Sequence, residues 1–164
     1  MADTVSRQKL TRADEVVDLV RAVAELLGGT RVLRRKVRSP LDAHDALVQG
    51  LPSAAVDHLV GRLTNLRDPD SLEKILGMSL RTFQRRRDAG SKPLSHEQSA
   101  RTWKFAELLA KATEVFGSQQ EAERWMAQPA IALEQRRPID LLTTPAGAEM
   151  VEDLLARLEH GVYT

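Results

Sequence analysis

Asp70-Ser71-Leu72-Glu73-Lys74-Ile75-Leu76-Gly77-Met78-Ser79-Leu80-Arg81-Thr82-Phe83-Gln84-Arg85-Arg86-Arg87 has the pattern of two short helices hinged at a tight turn. Gly77 is placed to take the left-handed conformation that ends a helix. Met78 is placed to plug the angle between the helices, and Ser79 to cap the second one. Leu80 and Phe83 lie three residues apart, so they turn inward together toward Ile75 and Leu76. This is the rhythm of a helix-turn-helix. Its second helix presents Arg81, Gln84, Arg85 and Asp88 on the outer face, with Arg86 and Arg87 toward the flanks. Arginine and glutamine suit guanine and adenine edges in a major groove, and arginines at the flanks suit phosphates. The candidate DNA-contacting residues are Arg81, Thr82, Gln84, Arg85, Arg86 and Arg87, with Lys92 and Arg101 extending the basic footprint. Two competing readings stand beside this one: a basic helix that is merely solvated, and a module that scaffolds another protein. Glu73 stands where such turns usually carry a small residue, and Arg86 where an apolar one is usual.

Outward from this motif the chain is helical throughout. Aromatic residues make up only 4% of its 164 residues, and helix formers dominate. Thr11 opens a run in which Val16, Val17, Leu19, Val20, Val23, Leu26 and Leu27 recur at three- and four-residue steps, until Gly28-Gly29 ends it. The residues before it lack any pattern and are expected to be disordered. The basic stretch from Arg31 to Arg38 is expected to be a linker or a short extended piece. Ser39-Pro40, Pro52-Ser53 and Ser79 each open a helix. Ser95 opens the longest, to about Phe116, and Trp103 and Trp125 belong to the core. Pro129 stops a helix through Met126, the stretch around Leu133 and Pro138 is loop-like, and Thr144-Pro145 starts the last helix, which runs to Leu158. The expected fold is all-α, with roughly eight helices and no strand. Residues 1–38 form an N-terminal extension, 39–104 a helix-turn-helix and dimerisation lobe, and 105–164 a helical C-terminal lobe.

The net charge of +1 hides a division. Residues 62–104 carry ten basic and five acidic side chains, a local +5, whereas 105–164 carry five basic and ten acidic, a local −5. Such asymmetry fits two surfaces with different partners. The absence of cysteine excludes disulfides, thiolate metal sites and a cysteine nucleophile. The N-terminus lacks the apolar run of a signal peptide, and no stretch approaches the roughly 18 apolar residues of a membrane span. A cytoplasmic protein without a membrane partner is expected. His44, His58, His96 and His160 form no metal spacing, and no H-E-x-x-H, G-x-S-x-G or P-loop occurs. Neither enzyme activity, a metal nor a cofactor is expected.

From Leu72 to Tyr163 the chain resembles the Xre/MbcA/ParS antitoxin family. The resemblance rests on an ordered set of pieces. These are Leu76-Gly77-Met78-Ser79-x-x-Thr82-Phe83-x-Arg85-Arg86, Leu94-Ser95 before a helix containing Arg101, Phe116-Gly117, and Ala122-x-x-Trp125-Met126-x-x-Pro129. Ala132-Leu133, Leu141-Leu142-x-Thr144-x-x-Gly147, Val151-x-x-x-Leu155-x-Arg157-Leu158 and Gly161-Val162-Tyr163 complete it. The resemblance implies an antitoxin paired with a RES-domain toxin that consumes NAD⁺. It implies that the C-terminal domain covers the toxin's active site while the helix-turn-helix lobe dimerises and regulates its own operon. Antitoxin and toxin would assemble into a higher-order complex. The implied toxin-binding residues are Arg157, Gly161, Val162, Tyr163 and Thr164. Gly161 releases the chain from the last helix, and the tail then ends in an aromatic ring beside a carboxylate, groups suited to a hot spot and to an arginine-lined anion pocket. The tail packing on its own domain is the alternative. The helix at 12–27 could supply a dimer surface or pack on its own lobe. A stand-alone transcriptional regulator is the alternative function.

Overall fold

A computed structural model of the chain describes residues 11–90 and 92–161. Among them are ten α-helices, one 3-10 turn and an isolated bridge between Ala130 and Arg136. The early residues expected to be disordered lie outside the described range.

α1 (Arg12–Leu26) opens with a reciprocal cap: the Thr11 hydroxyl accepts from the Asp14 amide, and the Asp14 carboxylate accepts from the Thr11 amide. Ser39 with Asp42 starts α3 (Pro40–Gln49) in the same way, and Ser95 with Gln98 starts α7 (His96–Phe116). The stretch from Arg31 to Arg38 is not a linker. Its first residues complete a helical turn, α2 (Gly29–Leu33), and Arg34 ends it at φ 57°. Leu33 and Val37, four residues apart, are both buried, so the charged residues around them are carried on anchored backbone. α4 (Ser53–Arg62), α5 (Pro69–Leu76) and α6 (Leu80–Asp88) follow. α8 (Gln119–Ala127) leads into a 3-10 turn (Ile131–Leu133) and the short α9 (Pro138–Leu141), where a loop-like stretch was expected. α10 (Pro145–Glu159) closes the fold. The helix number exceeds the expected eight because α2 and α9 are too short to show a period.

α7 is the spine. It buries Trp103, Phe105, Leu108, Leu109 and Ala112, and α1, α3, α5, α8 and α10 all pack on it. A fully buried Leu or Phe contributes about 1.5–3 kcal/mol of transfer free energy, so this helix supplies much of the core. It runs unbroken through residues 104 and 105, where the two lobes were expected to meet. α1 packs on it and buries Val20, Val23, Ala24 and Leu26, with Leu27 buried at its C-cap, so the N-terminal helix is part of the core.

α10 approaches α9 closely because Gly147 has no side chain. A Cβ there would lie 2.0 Å from the Leu141 carbonyl oxygen and 2.9 Å from its carbon. These are backbone atoms, so Gly147→Ala forces the two helices apart. Stability should fall by about 1–3 kcal/mol, read as a lower urea midpoint. Gly61→Ala in α4, with nothing within 4 Å of its Cβ, should leave the midpoint unchanged or raise it. Equal midpoints for Gly147→Ala and the parent chain would refute the close approach.

Candidate functional site

α5 begins at Pro69, one residue before the quoted motif. Asp68 is its cap, accepting from the Ser71 amide at 2.9 Å, and Pro69 fills the first helical position. Gly77 ends the helix at φ 69°, and Arg101 lies against it; a Cβ at Gly77 would come within 2.9 Å of the Arg101 Cδ. Arg101 thus braces the turn, with its Nε buried, rather than reaching outward. Met78 is half-buried against the core. Ser79 Oγ accepts from the Thr82 amide at 3.1 Å and donates to Thr82 Oγ1 at 2.9 Å. Glu73 Oε1 accepts from the Leu80 amide at 3.4 Å. The carboxylate in the small-residue position therefore acts as a second cap for α6.

The candidate DNA-contacting residues divide. Arg81, Gln84 and Arg85 are exposed on the outer face of α6, and their side chains make no hydrogen bond among the described residues. Thr82 is half-buried and committed to the cap. Arg86 is half-buried and donates to Gln98 Oε1 at 2.7 Å; that oxygen also accepts from the Ser95 amide at 3.1 Å. Arg87 donates to Asp57 of α4 at 3.1 Å. Arg86 and Arg87 thus fasten α6 to α7 and α4. Arg85, Arg86 and Lys92 border a cavity of about 370 Å³ beside the end of α6, a cluster of cations suited to a phosphate.

In the C-terminal part of the chain, Met150, Asp153 and Arg157 lie three and four residues apart on the exposed face of α10. Gly161, at φ 68°, turns the chain off the helix as expected. Val162, Tyr163 and Thr164 lie outside the described residues. Trp103 is buried, and Trp125 is half-buried with its ring 5.2 Å from that of Phe116.

Three connections between helices distant in sequence were not foreseen. Lys74 of α5 reaches Asp70 at 2.7 Å and Asp140 of α9 at 2.5 Å. Arg137 reaches Asp70 at 3.0 Å and Asp140 at 2.7 Å. A hydrogen bond from Arg137 holds the Asp140 carboxyl below its usual range; burial opposes this and Lys74 assists. Burial works against the Lys74 ammonium, yet hydrogen bonds from it to Asp140 and Asp70 leave its pKa raised. Asp70–Lys74 and Arg137–Asp140 are helix-spaced pairs visible in the sequence, but only the fold joins them. The second connection is Glu123 of α8, fully buried, whose Oε2 accepts from the amides of Thr64, Asn65 and Leu66 at 2.8, 2.6 and 3.3 Å. Lys104 and Lys111 of α7 likewise pair with Glu152 of α10.

No helix of the described residues is long and apolar enough to cross a membrane. They hold no group of three or more potential metal ligands.

Comparison with known proteins covers both ends. Residues 42–107 match the family described as the antitoxin Xre-like helix-turn-helix domain, and residues 111–161 match the antitoxin Xre/MbcA/ParS C-terminal toxin-binding domain. Antitoxin Xre of Yersinia enterocolitica is 31% identical over 139 residues, spanning 82% of this chain and 93% of that protein. Antitoxin Xre of Photorhabdus laumondii is 30% identical over 119 residues, spanning 72% and 78%. A Sphingobium protein named Prs ADP-ribosylating antitoxin is 26% identical over 134 residues, spanning 76% and 82%. The helix-turn-helix and the C-terminal helices thus match in the same order, within a relative that aligns over nearly its whole length, and the chain belongs to the Xre antitoxin family.

Proposed function

We propose that this protein neutralises a RES-domain, NAD⁺-consuming toxin with residues 105–164 and binds the DNA of its own operon through α6. The observation that carries the reading is the toxin-binding match over residues 111–161 in a chain that also holds a helix-turn-helix. The resemblance laid out from the sequence supports the RES partner. The name of the Sphingobium relative joins an antitoxin to ADP-ribosylation, a chemistry whose ADP-ribose comes from NAD⁺. The protein acts by binding rather than by catalysis, as a cytoplasmic homodimer that joins its toxin in a higher-order complex.

Each surface suits its partner. Arg81, Gln84 and Arg85 stand exposed for base edges and phosphates. The −5 of residues 105–164 suits the basic rim of an anion-binding cleft. Arg157 and Gly161 lead toward Val162-Tyr163-Thr164, which would enter that cleft.

The test is co-expression with the protein encoded in the adjacent reading frame. One partner is tagged, the eluate is sized, and NAD⁺ consumption is assayed. A stable complex with suppressed NAD⁺ loss is expected. No complex, together with tight operator binding, would make the protein a stand-alone regulator instead. Within the complex, deleting Val162 to Thr164 should weaken neutralisation about tenfold or more, the loss expected of a buried aromatic anchor. Full neutralisation by the shortened chain would remove the tail from the mechanism.

A further inference from the structure

Ile131 is the most exposed large apolar side chain among the described residues, at 84%. It stands at the tip of the turn between α8 and α9. The turn is closed by its own backbone: the Ala130 amide donates to the Arg136 carbonyl at 3.1 Å, and the Leu133 and Gln135 amides donate to the Ala130 carbonyl at 3.0 Å each. Leu133 is buried and anchors the base. Glu134 and Gln135 are consecutive non-glycine residues in the left-handed region, at φ 54° and 63°. That conformation is unfavourable for L-residues and persists only where the surrounding structure imposes it. Single exposed apolar residues are ordinary on protein surfaces. Here a strained, hydrogen-bonded backbone holds one out of the core.

The surroundings point to an occupant. Pro129 and Ala132 beside it are also exposed, so the tip is free of charge from 129 to 132. The turn packs on α10, where Met150 is 50% exposed on the face that leads through Arg157 to Gly161. Glu134, Glu149 and Asp153 are exposed and form no ion pair among the described residues, and the same holds for Arg136 at the base of the turn and Arg157 on α10, which leaves the unpaired charges acidic by one. The apolar tip belongs to residues 105–164, which carry a net −5, and this matches a partner with an apolar crevice and a basic rim. A second copy of a lobe that carries −5 would be repelled.

We propose that the Ile131 turn is a second anchor on the toxin, separate from the C-terminal tail, which seats in an apolar crevice with a basic rim. The proposal rests on the antitoxin reading. Ile131 supplies the desolvated contact, and the carboxylates guide the approach.

The test uses the full chain as Ile131→Asp and Ile131→Ser, with the protein of the adjacent reading frame as the binding probe. Toxin affinity, melting temperature, oligomeric state and binding to the upstream DNA are measured for each. Both variants should bind the toxin about tenfold or more weakly, the loss at an interface hot spot. Melting temperature, oligomeric state and DNA binding should not change. Toxin affinity equal to the parent overturns the proposal. So does a changed oligomeric state with toxin affinity intact, which would assign the turn to self-association. If the parent chain itself fails to bind, the antitoxin reading falls, and this inference with it.

Discussion

Glu123→Ala is expected to lower stability by about 3–5 kcal/mol, the combined penalty for leaving several amide donors without their acceptor. Glu123 is fully buried, and one of its oxygens serves three successive amides in the turn between α4 and α5. Its other oxygen accepts from Gln119 Nε2 at 2.8 Å, and the same amide nitrogen donates to the Arg62 carbonyl at 2.9 Å. The turn cannot satisfy these donors alone, since its Leu63 and Leu66 are buried on either side. Truncation leaves several amides without an acceptor, each costing about 1–3 kcal/mol when buried. The penalties overlap, because one relaxation or one entering water relieves more than one donor. For a chain of this length the loss corresponds to roughly 6–20 °C in Tm, at about 2–4 °C per kcal/mol. Glu123→Gln keeps one carbonyl acceptor for the turn amides, but it gives up the charge and sets a donor against Gln119 Nε2, so its loss should be smaller than that of the alanine variant without vanishing. Thermal and urea unfolding of the two variants check this. Equal midpoints for the alanine variant and the parent would mean that the turn finds other acceptors. α5 starts immediately after this turn, so the same carboxylate of the C-terminal helices sets where the helix-turn-helix sits.

What the sequence revealed and what it concealed separate along one physical line. Thr11, Ser39, Ser79 and Ser95 could be read as helix starts because a cap is completed by an amide three residues on. Gly77 could be read as a helix end for the same local reason. Helical spacing separates Arg85 on the outer face from Arg86 on the flank, but it does not show what Arg86 holds. Its partner is Gln98, twelve residues away, and only the fold brings the two together. Glu121 and Glu123 on α8 look equally solvated in the sequence, yet Glu121 pairs with Arg124 at the surface while Glu123 is buried under a turn some sixty residues earlier. Pro129-Ala130-Ile131-Ala132 has the composition of a buried segment. Left-handed residues at 134 and 135, neither of them glycine or asparagine, give no warning that Ile131 is held outside. Local hydrogen bonding was legible; long-range pairing and backbone imposed by packing were not.

The double variant Arg81→Ala, Arg85→Ala is expected to bind operator DNA about a hundredfold or more weakly. Each side chain is exposed and makes no hydrogen bond within the described protein, so its removal costs the fold almost nothing and its whole effect falls on the nucleic acid. A bidentate base contact is worth about 1–3 kcal/mol, and removing a cation that neutralises a phosphate flattens the salt dependence by roughly one unit of slope. The two arginines can therefore be told apart by titrations at several salt concentrations. The one at a base edge loses discrimination at one position, and the one at a phosphate loses affinity on every sequence alike. Arg86→Ala should behave differently. It releases Gln98 Oε1 from the bond that ties α6 to the start of α7, so it should lower the melting temperature and weaken DNA binding less than the double variant does. If Arg86→Ala instead weakens DNA binding as strongly as the double variant while its melting temperature holds, then Arg86 leaves Gln98 on binding and α6 reads DNA with its flank. Full affinity in the double variant would leave α6 without a nucleic-acid role, and the +5 of residues 62–104 would then have to serve a protein partner.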